Sequence, residues 1–197
     1  MFTTFRNMAI GAALGLCAGL AVPAQAAYIV TLQQVGANVV ATGSGTLDLA
    51  ALTLGDNGFQ SGIIIASQGA IAVGPNASVT TYSGFTGPTS FGSGGGHFPA
   101  NNSGDTVGVD GNFNLVLVPE GYLSGSSLSD TSTYDGATFA SLGVTPGTYE
   151  WTWGTGADAD NFTLQIGPVA VVPEPASLPL LVMGLAGLGM VVRTRRA

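Results

Sequence analysis

Tyr149-Glu150-Trp151-Thr152-Trp153 is the stretch of sequence that best indicates the fold. Large aromatic side chains at every second position alternate with polar ones, and a period of two places the aromatics on one face of a β-strand. An aromatic face on a strand is normally buried. We therefore predict that Trp151 and Trp153 belong to a core and do not form an exposed platform for stacking sugars.

The same alternation recurs elsewhere, and turn-forming residues separate the runs, for example at Gly55-Asp56-Asn57-Gly58 and Thr145-Pro146-Gly147. Between the two ends of the chain, no stretch of ten or more residues has apolar residues at the helical period of 3.6. This pattern predicts an all-β fold, either an antiparallel β-sandwich or a jelly roll. The other alternating sets are Tyr28, Val30 and Leu32; Phe162, Leu164 and Ile166; and Phe113, Leu115 and Leu117, which alternate with asparagines and valines.

The segment from Gly84 to Gly111 differs from the rest, because it is rich in Gly, Ser and Asn and poor in large apolar residues. Its composition predicts a long loop or a pair of loops at one end of the sheet, where binding would be expected. The only histidine, His97, lies in this segment. No nucleophile or carboxylate stands at a spacing that would make it catalytic, so we interpret it as an exposed loop residue.

The basic residues occur only at the two ends of the chain. Arg6, Arg193, Arg195 and Arg196 are the only Lys or Arg residues, and all eleven carboxylates lie between two apolar runs. Cationic ends beside apolar runs are typical of cytoplasmic anchors, which predicts that the central part is exported. Neutralising phosphates requires Lys or Arg, so a nucleic-acid partner is excluded for the central part.

The N-terminal end has the parts of a secretion signal. A basic residue is followed by the uncharged apolar run from Met8 to Val22 and then by the small residues Ala24 and Ala26. This order predicts a helical signal peptide over residues 1–26, which signal peptidase cleaves before Ala27. The only cysteine is removed with it, so the mature protein has no disulfide and no cysteine metal site.

The C-terminal end has a more specific pattern. Val172-Pro173-Glu174-Pro175-Ala176-Ser177 is followed by the apolar run Leu178 to Val192 and then by Arg193-Thr194-Arg195-Arg196. Two prolines around one carboxylate hold an extended segment that a membrane protease can bind. As a helix the apolar run would span about 22 Å, less than a hydrocarbon core of about 30 Å, which suits a transient anchor.

This three-part tail resembles the PEP-CTERM sorting signal of Gram-negative bacteria. The resemblance implies processing by exosortase, an integral-membrane enzyme usually encoded beside exopolysaccharide machinery. It also implies transient anchoring in the inner membrane, followed by transfer to the outer surface or the extracellular space. The matching features within residues 172–197 are the motif at 172–177 with Val172, Pro173, Glu174, Pro175 and Ala176, the hydrophobic helix 178–192, and the basic tail 193–197 with Arg193, Arg195 and Arg196.

A second resemblance concerns the central domain, which we place at residues 27–171. Its runs Val30–Leu49, Tyr149–Gly154 and Ala159–Leu164 resemble a recurring group of PEP-CTERM proteins of undefined activity. This resemblance implies no mechanism. We expect a non-enzymatic surface or extracellular-matrix protein with a structural, adhesive or exopolysaccharide-associated role, and we predict no catalytic residue and no cofactor.

Two alternatives depend on the carboxylates. Glu120 and Glu150 could act as the paired acids of a secreted glycosidase-like hydrolase if the fold brings them together. Asp158 and Asp160 offer oxygen ligands of the kind that calcium prefers, although hydrogen bonding within a turn is the favoured interpretation. Ice binding is not predicted, because threonine ladders are absent and only scattered pairs such as Thr131 with Thr133 occur.

Overall fold

The computed structural model describes residues 27–167, whose strands form two sheets packed face to face. The antiparallel sandwich predicted from the sequence is confirmed, with one parallel pair of strands within it. Sheet A has six strands in the spatial order β12 (Gly147–Trp153), β13 (Asp160–Ile166), β1 (Ala27–Val35), β2 (Asn38–Gly45), β11 (Leu128–Tyr134) and β8 (Asn101–Gly104).

Sheet B has seven strands and forms the second layer. All of its pairings are antiparallel, and a bulge interrupts the pairing of its first two strands. The spatial order is β3 (Thr53–Gln60), β6 (Ala77–Ser83), β10 (Leu115–Pro119), β9 (Val107–Asp110), β5 (Ala70–Val73), β4 (Ile63–Ile65) and β7 (Gly96–His97).

The aromatic strand β12 packs as its alternation predicts. Trp151 is 0% exposed and Trp153 is 4% exposed, whereas Glu150 before them and Thr152 between them face solvent. Each indole also has a polar partner, because Trp151 Nε1 donates to Pro88 O at 2.8 Å and Trp153 Nε1 donates to Asp48 O at 2.7 Å. The prediction that both tryptophans belong to the core is therefore confirmed.

Strand β10 shows the limit of this kind of prediction. Its core-facing side chains are Val116 and Val118, whereas Leu115 and Leu117 lie on the outer face and are half-buried. Phe113 precedes the strand and is 65% exposed. Both sets of alternate positions are apolar, so the period of two cannot indicate which set faces the core.

The prediction of a long loop from Gly84 to Gly111 is wrong, because three short strands lie within this segment. β8 completes the edge of sheet A, and β7 and β9 belong to sheet B. These strands are held by backbone hydrogen bonds to their neighbours, and such bonds do not require apolar side chains. Phe91 fixes the connecting chain, since its side chain is 1% exposed and lies in the core.

In the described part of the chain, three single turns of helix connect the strands, and the one α-helix among them, α1, spans Phe139–Leu142. Its first turn is capped reciprocally by Thr138 and Ser141. None of the helices within residues 27–167 is long and apolar enough to cross a membrane. The two helices predicted at residues 1–26 and 178–192 lie outside the described residues.

Candidate functional site

The two candidate calcium ligands have different environments. Asp160 begins β13 and is 3% exposed, whereas Asp158 ends a single helical turn and is exposed. Both carboxylate oxygens of Asp160 are occupied, since Oδ2 accepts the N–H of Asp48 at 2.5 Å and Oδ1 accepts that of Asn161 at 2.7 Å. Burial raises the pKa of Asp160 to about 6, although these N–H donors oppose the shift. Asp160 thus fastens the chain after β2 to the start of β13.

The candidate hydrolase acids are not brought together. Glu150 lies on the outer face of sheet A, and Glu120 follows the last strand residue of β10 in sheet B. Both are exposed, and Glu120 accepts a hydrogen bond from Asn57 Nδ2 at 3.0 Å. Within residues 27–167, no three side chains of His, Asp or Glu are grouped to hold a metal ion.

His97 has a different setting from the one that its sequence context predicts. It lies in β7 opposite Ile64 and is half-buried, so its interpretation as an exposed loop residue is wrong. Together with Tyr134 and Asp135, it lines a cleft of about 220 Å³. The hydroxyl of Tyr134 is buried without a hydrogen-bond partner in the described part of the chain, and burial raises its pKa.

Tyr28 and Asp130 form a polar pair in the core that sequence reasoning missed. They are 0% and 2% exposed, and the Tyr28 hydroxyl donates a hydrogen bond to Asp130 Oδ2. Oδ1 of Asp130 has no hydrogen-bond partner among residues 27–167. Burial raises the pKa of Asp130 to about 7; the bond from Tyr28 and the nearby amide of Gly43 oppose this shift, and the charge of Asp105 adds to it.

A second polar group, at Ser132, links the two sheets. Ser132 is 0% exposed, and its Oγ donates to Asn102 Oδ1 at 2.5 Å while accepting the N–H of Gly74 at 3.0 Å. Asp130 and Ser132 occupy the inward positions of β11 between Leu128 and Tyr134. The sequence did contain a signal for both residues, because Asp130 and Ser132 are polar residues at positions where the alternation of the strand predicts burial.

The outer face of sheet A carries an array of neutral polar side chains, which we call the hydroxyl face. It consists of the outward residues of β12, β13, β1, β2, β11 and β8. Strand pairing aligns one complete row across all six strands. In spatial order this row contains Ser103, Thr131, Thr42, Thr31, Gln165 and Thr148.

Two flanking rows continue the hydroxyl face on either side. Glu150 is the only charged residue among its outward strand positions, and Ile29, Val35 and Val40 are its large apolar members. One row contains Ser129, Ser44, Ile29, Thr163 and Glu150, and the other contains Asn101, Thr133, Val40 and Gln33.

Much of the hydrogen-bonding capacity of the hydroxyl face is unused within the sandwich. Thr31 Oγ1 makes a long hydrogen bond of 3.4 Å to Thr42 O, and Thr163 Oγ1 donates to Asn161 Oδ1 at 3.0 Å. The hydroxyls of Thr42 and Thr131 make no hydrogen bond to other described residues. At one end of the face, a shallow groove of about 200 Å³ is lined by Asn101, Asn102, Ser103, Thr131 and Thr133.

The outer face of sheet B has the opposite character. A groove of about 200 Å³ crosses it, lined mainly by aliphatic side chains such as Ile63, Ile65 and Leu117. Ala70 and Ala72 form its floor and are 4% and 2% exposed, although they point away from the core. The two outer faces thus differ, because one presents mainly hydroxyls and amides, whereas the groove on the other is lined mainly by hydrocarbon.

Comparison with known proteins identifies the C-terminal tail. Residues 171–196 match the family model described as the PEP-CTERM protein-sorting motif, which confirms the resemblance drawn from Val172 to Ala176 and the arginines. The chain is therefore an exported protein that exosortase sorts to the cell surface. The match does not reach the sandwich, and neither a curated protein nor a solved structure matches the chain.

Proposed function

We propose that this protein is a non-enzymatic module of the cell surface or extracellular matrix, with a structural or adhesive role in association with exopolysaccharide. The observation that carries the proposal is the sorting motif at residues 171–196, which begins four residues after the described sandwich ends at Gly167. Such a motif delivers the preceding domain to the surface, so the sandwich is the part that acts there.

The environment of the acidic residues supports a non-catalytic role. Glu120 and Glu150 lie on different sheets, and the carboxylate of Asp160 caps backbone N–H groups. The buried Asp130 bonds to Tyr28 inside the core and is 2% exposed, which leaves a substrate no access to it. Acid–base catalysis by two carboxylates needs both groups at one accessible cleft.

Processing by signal peptidase and exosortase can be tested by intact-mass measurement of the surface-released protein. We expect the mass of a chain that begins at Ala27 and lacks the arginine tail. Substituting Pro173, Glu174 and Pro175 by Ala should leave the tail attached and the protein in the inner membrane. Thr194→Ala is the matched control in the same tail, because it changes neither the motif nor an arginine, and it should be processed normally.

Association with exopolysaccharide is tested separately. The processed protein should co-sediment with exopolysaccharide purified from the producing bacterium, in the presence of either calcium or a chelator. Calcium-dependent sedimentation would assign the association to a bound cation instead of the protein surface itself. Absence of co-sedimentation under both conditions would contradict the exopolysaccharide role while leaving export and sorting intact.

A further inference from the structure

We infer that the hydroxyl face of sheet A is the surface through which the processed protein contacts polysaccharide, and that this polysaccharide is a neutral one. The inference rests on the proposed function and specifies which part of the sandwich performs it. Its basis is the complete row of uncharged polar residues that strand pairing aligns between Ser103 and Thr148.

The charge of the domain selects a neutral partner. Of the eleven carboxylates in the chain, only Glu174 lies outside residues 27–167, which leaves ten in the described part, where there is no Lys or Arg. An acidic polymer would be repelled by this field. A cationic polymer would bind where the carboxylates are. Glu150 is the only carboxylate at an outward strand position of the hydroxyl face, so this face would not be the site of such a polymer.

The chemistry of the face suits a polyol. Each threonine or serine hydroxyl can donate one hydrogen bond and accept two, and the amides of Gln165 and Asn101 add both functions. The hydroxyl groups of Thr42 and Thr131 make no hydrogen bond within residues 27–167, so both can bond to sugar hydroxyls. The groove on sheet B is lined mainly by apolar side chains, with Gln60 and Asp110 as its polar members, so most of it would strip water from sugar hydroxyls without replacing their hydrogen bonds.

The shape of the face favours a chain over a crystal surface. Hydroxyls in neighbouring strands are spaced at about 4.8 Å, but adjacent strands are rotated by about 20–25°. Sheet A has six strands, and a rotation of this general size at each step accumulates into a twisted surface. A flexible polymer can follow such a twist, whereas a planar ice lattice would meet only part of it.

The test compares retention of the secreted, processed protein in gels that contain exopolysaccharide from the producing bacterium, separated by anion exchange into neutral and acidic fractions. Wild type should be retarded by the neutral fraction. The triple variant Thr31→Val, Thr42→Val and Thr131→Val removes three hydroxyls from the central row while keeping β-branched side chains. We expect its retention to be weakened about tenfold or more.

Two matched variants separate loss of hydroxyls from loss of structure. Serine at the same three positions keeps the hydroxyls and should keep retention. Valine at Thr53, Thr89 and Thr155 removes three exposed hydroxyls outside the hydroxyl face and should leave retention unchanged. Melting curves by circular dichroism identify any variant that is unfolded at the assay temperature; for such a variant, the single changes Thr42→Val and Thr131→Val are compared instead.

Several results would overturn the inference. They are unchanged retention of the folded face variant, equal loss in the Thr53, Thr89 and Thr155 control, and preference of wild type for the acidic fraction. Wild type could instead shape ice crystals or self-associate without being retained by polysaccharide. If the face variant abolishes that behaviour, the hydroxyl face binds ice or a second copy of the protein and the inference is wrong. If wild type binds neither fraction, the proposed exopolysaccharide role itself is wrong. If wild type binds and the folded face variant binds equally well, only the choice of the hydroxyl face is wrong.

Discussion

The hydroxyl of Tyr28 donates a hydrogen bond to the carboxylate of Asp130 across an intervening strand, although 102 positions separate the two residues in the sequence. Tyr28 lies on β1 and Asp130 on β11, and both strands pair with β2. The contact passes over Gly43 of β2, where a side chain would collide with both groups. One buried pair thus couples three strands of sheet A and places an ionisable group in the core.

The raised pKa values of two buried carboxyl groups, Asp130 and Asp160, predict that the protein is more stable in mild acid than in mild base. The pKa of Asp130 is raised from 3.8 to about 7 in the folded protein, and that of Asp160 to about 6, in both cases mainly by burial. Between pH 4 and pH 7 the folded state therefore binds more protons than the unfolded state, so stability falls as pH rises. We expect a higher melting temperature at pH 5 than at pH 8.

Asp130→Asn isolates the contribution of this group. The amide cannot ionise and still offers an oxygen to Tyr28, so the variant should lose much of the pH dependence and should melt above wild type at pH 8. Measuring at about 0.15 M salt limits the repulsion among the exposed carboxylates. A wild-type protein that melts higher at pH 8 than at pH 5, or a variant with the same pH slope, would contradict this account.

Gly43→Ala should destabilise the domain. A Cβ at this position would overlap Tyr28 Oη and Asp130 Oδ1, which pack directly on the glycine. Overpacking a buried site typically costs about 1–3 kcal/mol, which is measurable by urea unfolding. The matched control is Gly58→Ala in the exposed strand β3, where nothing lies within 4 Å of the added Cβ.

The control substitution should be neutral or slightly stabilising, because it only restricts the unfolded chain. Equal free energies of unfolding for the Gly43 and Gly58 variants would show that the Tyr28–Asp130 pair does not pack tightly against Gly43 of β2.

Trypsin should leave the processed protein uncut even after denaturation. No Lys or Arg occurs between Asn7 and Val192, so the chain from Ala27 to the sorting motif offers no cleavage site. A protease specific for Glu should cut the same denatured sample after Glu120 and Glu150, which serves as the positive control. Electrophoresis and mass spectrometry read out both digests, and internal tryptic fragments would refute the export boundaries.

Tryptophan fluorescence should be insensitive to polysaccharide. Trp151 and Trp153 are the only tryptophans, and both are buried on the inner face of β12 with their indole N–H groups bonded to carbonyls. We expect blue-shifted emission that iodide quenches poorly, and no change in emission when polysaccharide binds at the hydroxyl face. Strong quenching by polysaccharide would place the contact near the tryptophans instead.

The local pattern of residues predicted the strands well where one face is clearly more apolar than the other. In β12 and β13 the large residues alternate with polar ones, and in β1 they do so except at the exposed Ile29; in all three strands the inward sets are those predicted. The pattern failed in β10, where Val116 and Leu117 are both apolar, and in β8, whose residues Asn101–Gly104 are all exposed. Neither strand has a hydrophobic contrast between its faces, so only pairing with neighbours defines it.

The hydroxyl face was not predictable for a related reason. Along the chain its threonines are scattered, and Thr31, Thr42 and Thr131 come from three strands that are far apart in sequence. They form a row only because the register of β1 with β2 and of β2 with β11 places them opposite one another. Register depends on long-range hydrogen bonds and on the packing of the opposite face, and neither is encoded within a short window.

By itself the sequence determined where the protein goes and the class of its fold. The sorting motif, the predicted signal peptide and the placement of charges are short contiguous stretches, and strand alternation is local as well. Only the tertiary structure decided that Asp130 meets Tyr28 in the core and that a row of hydroxyl and amide side chains crosses the outer face of sheet A. Both depend on which strands become neighbours, because side chains distant in sequence interact only after the sheets have formed.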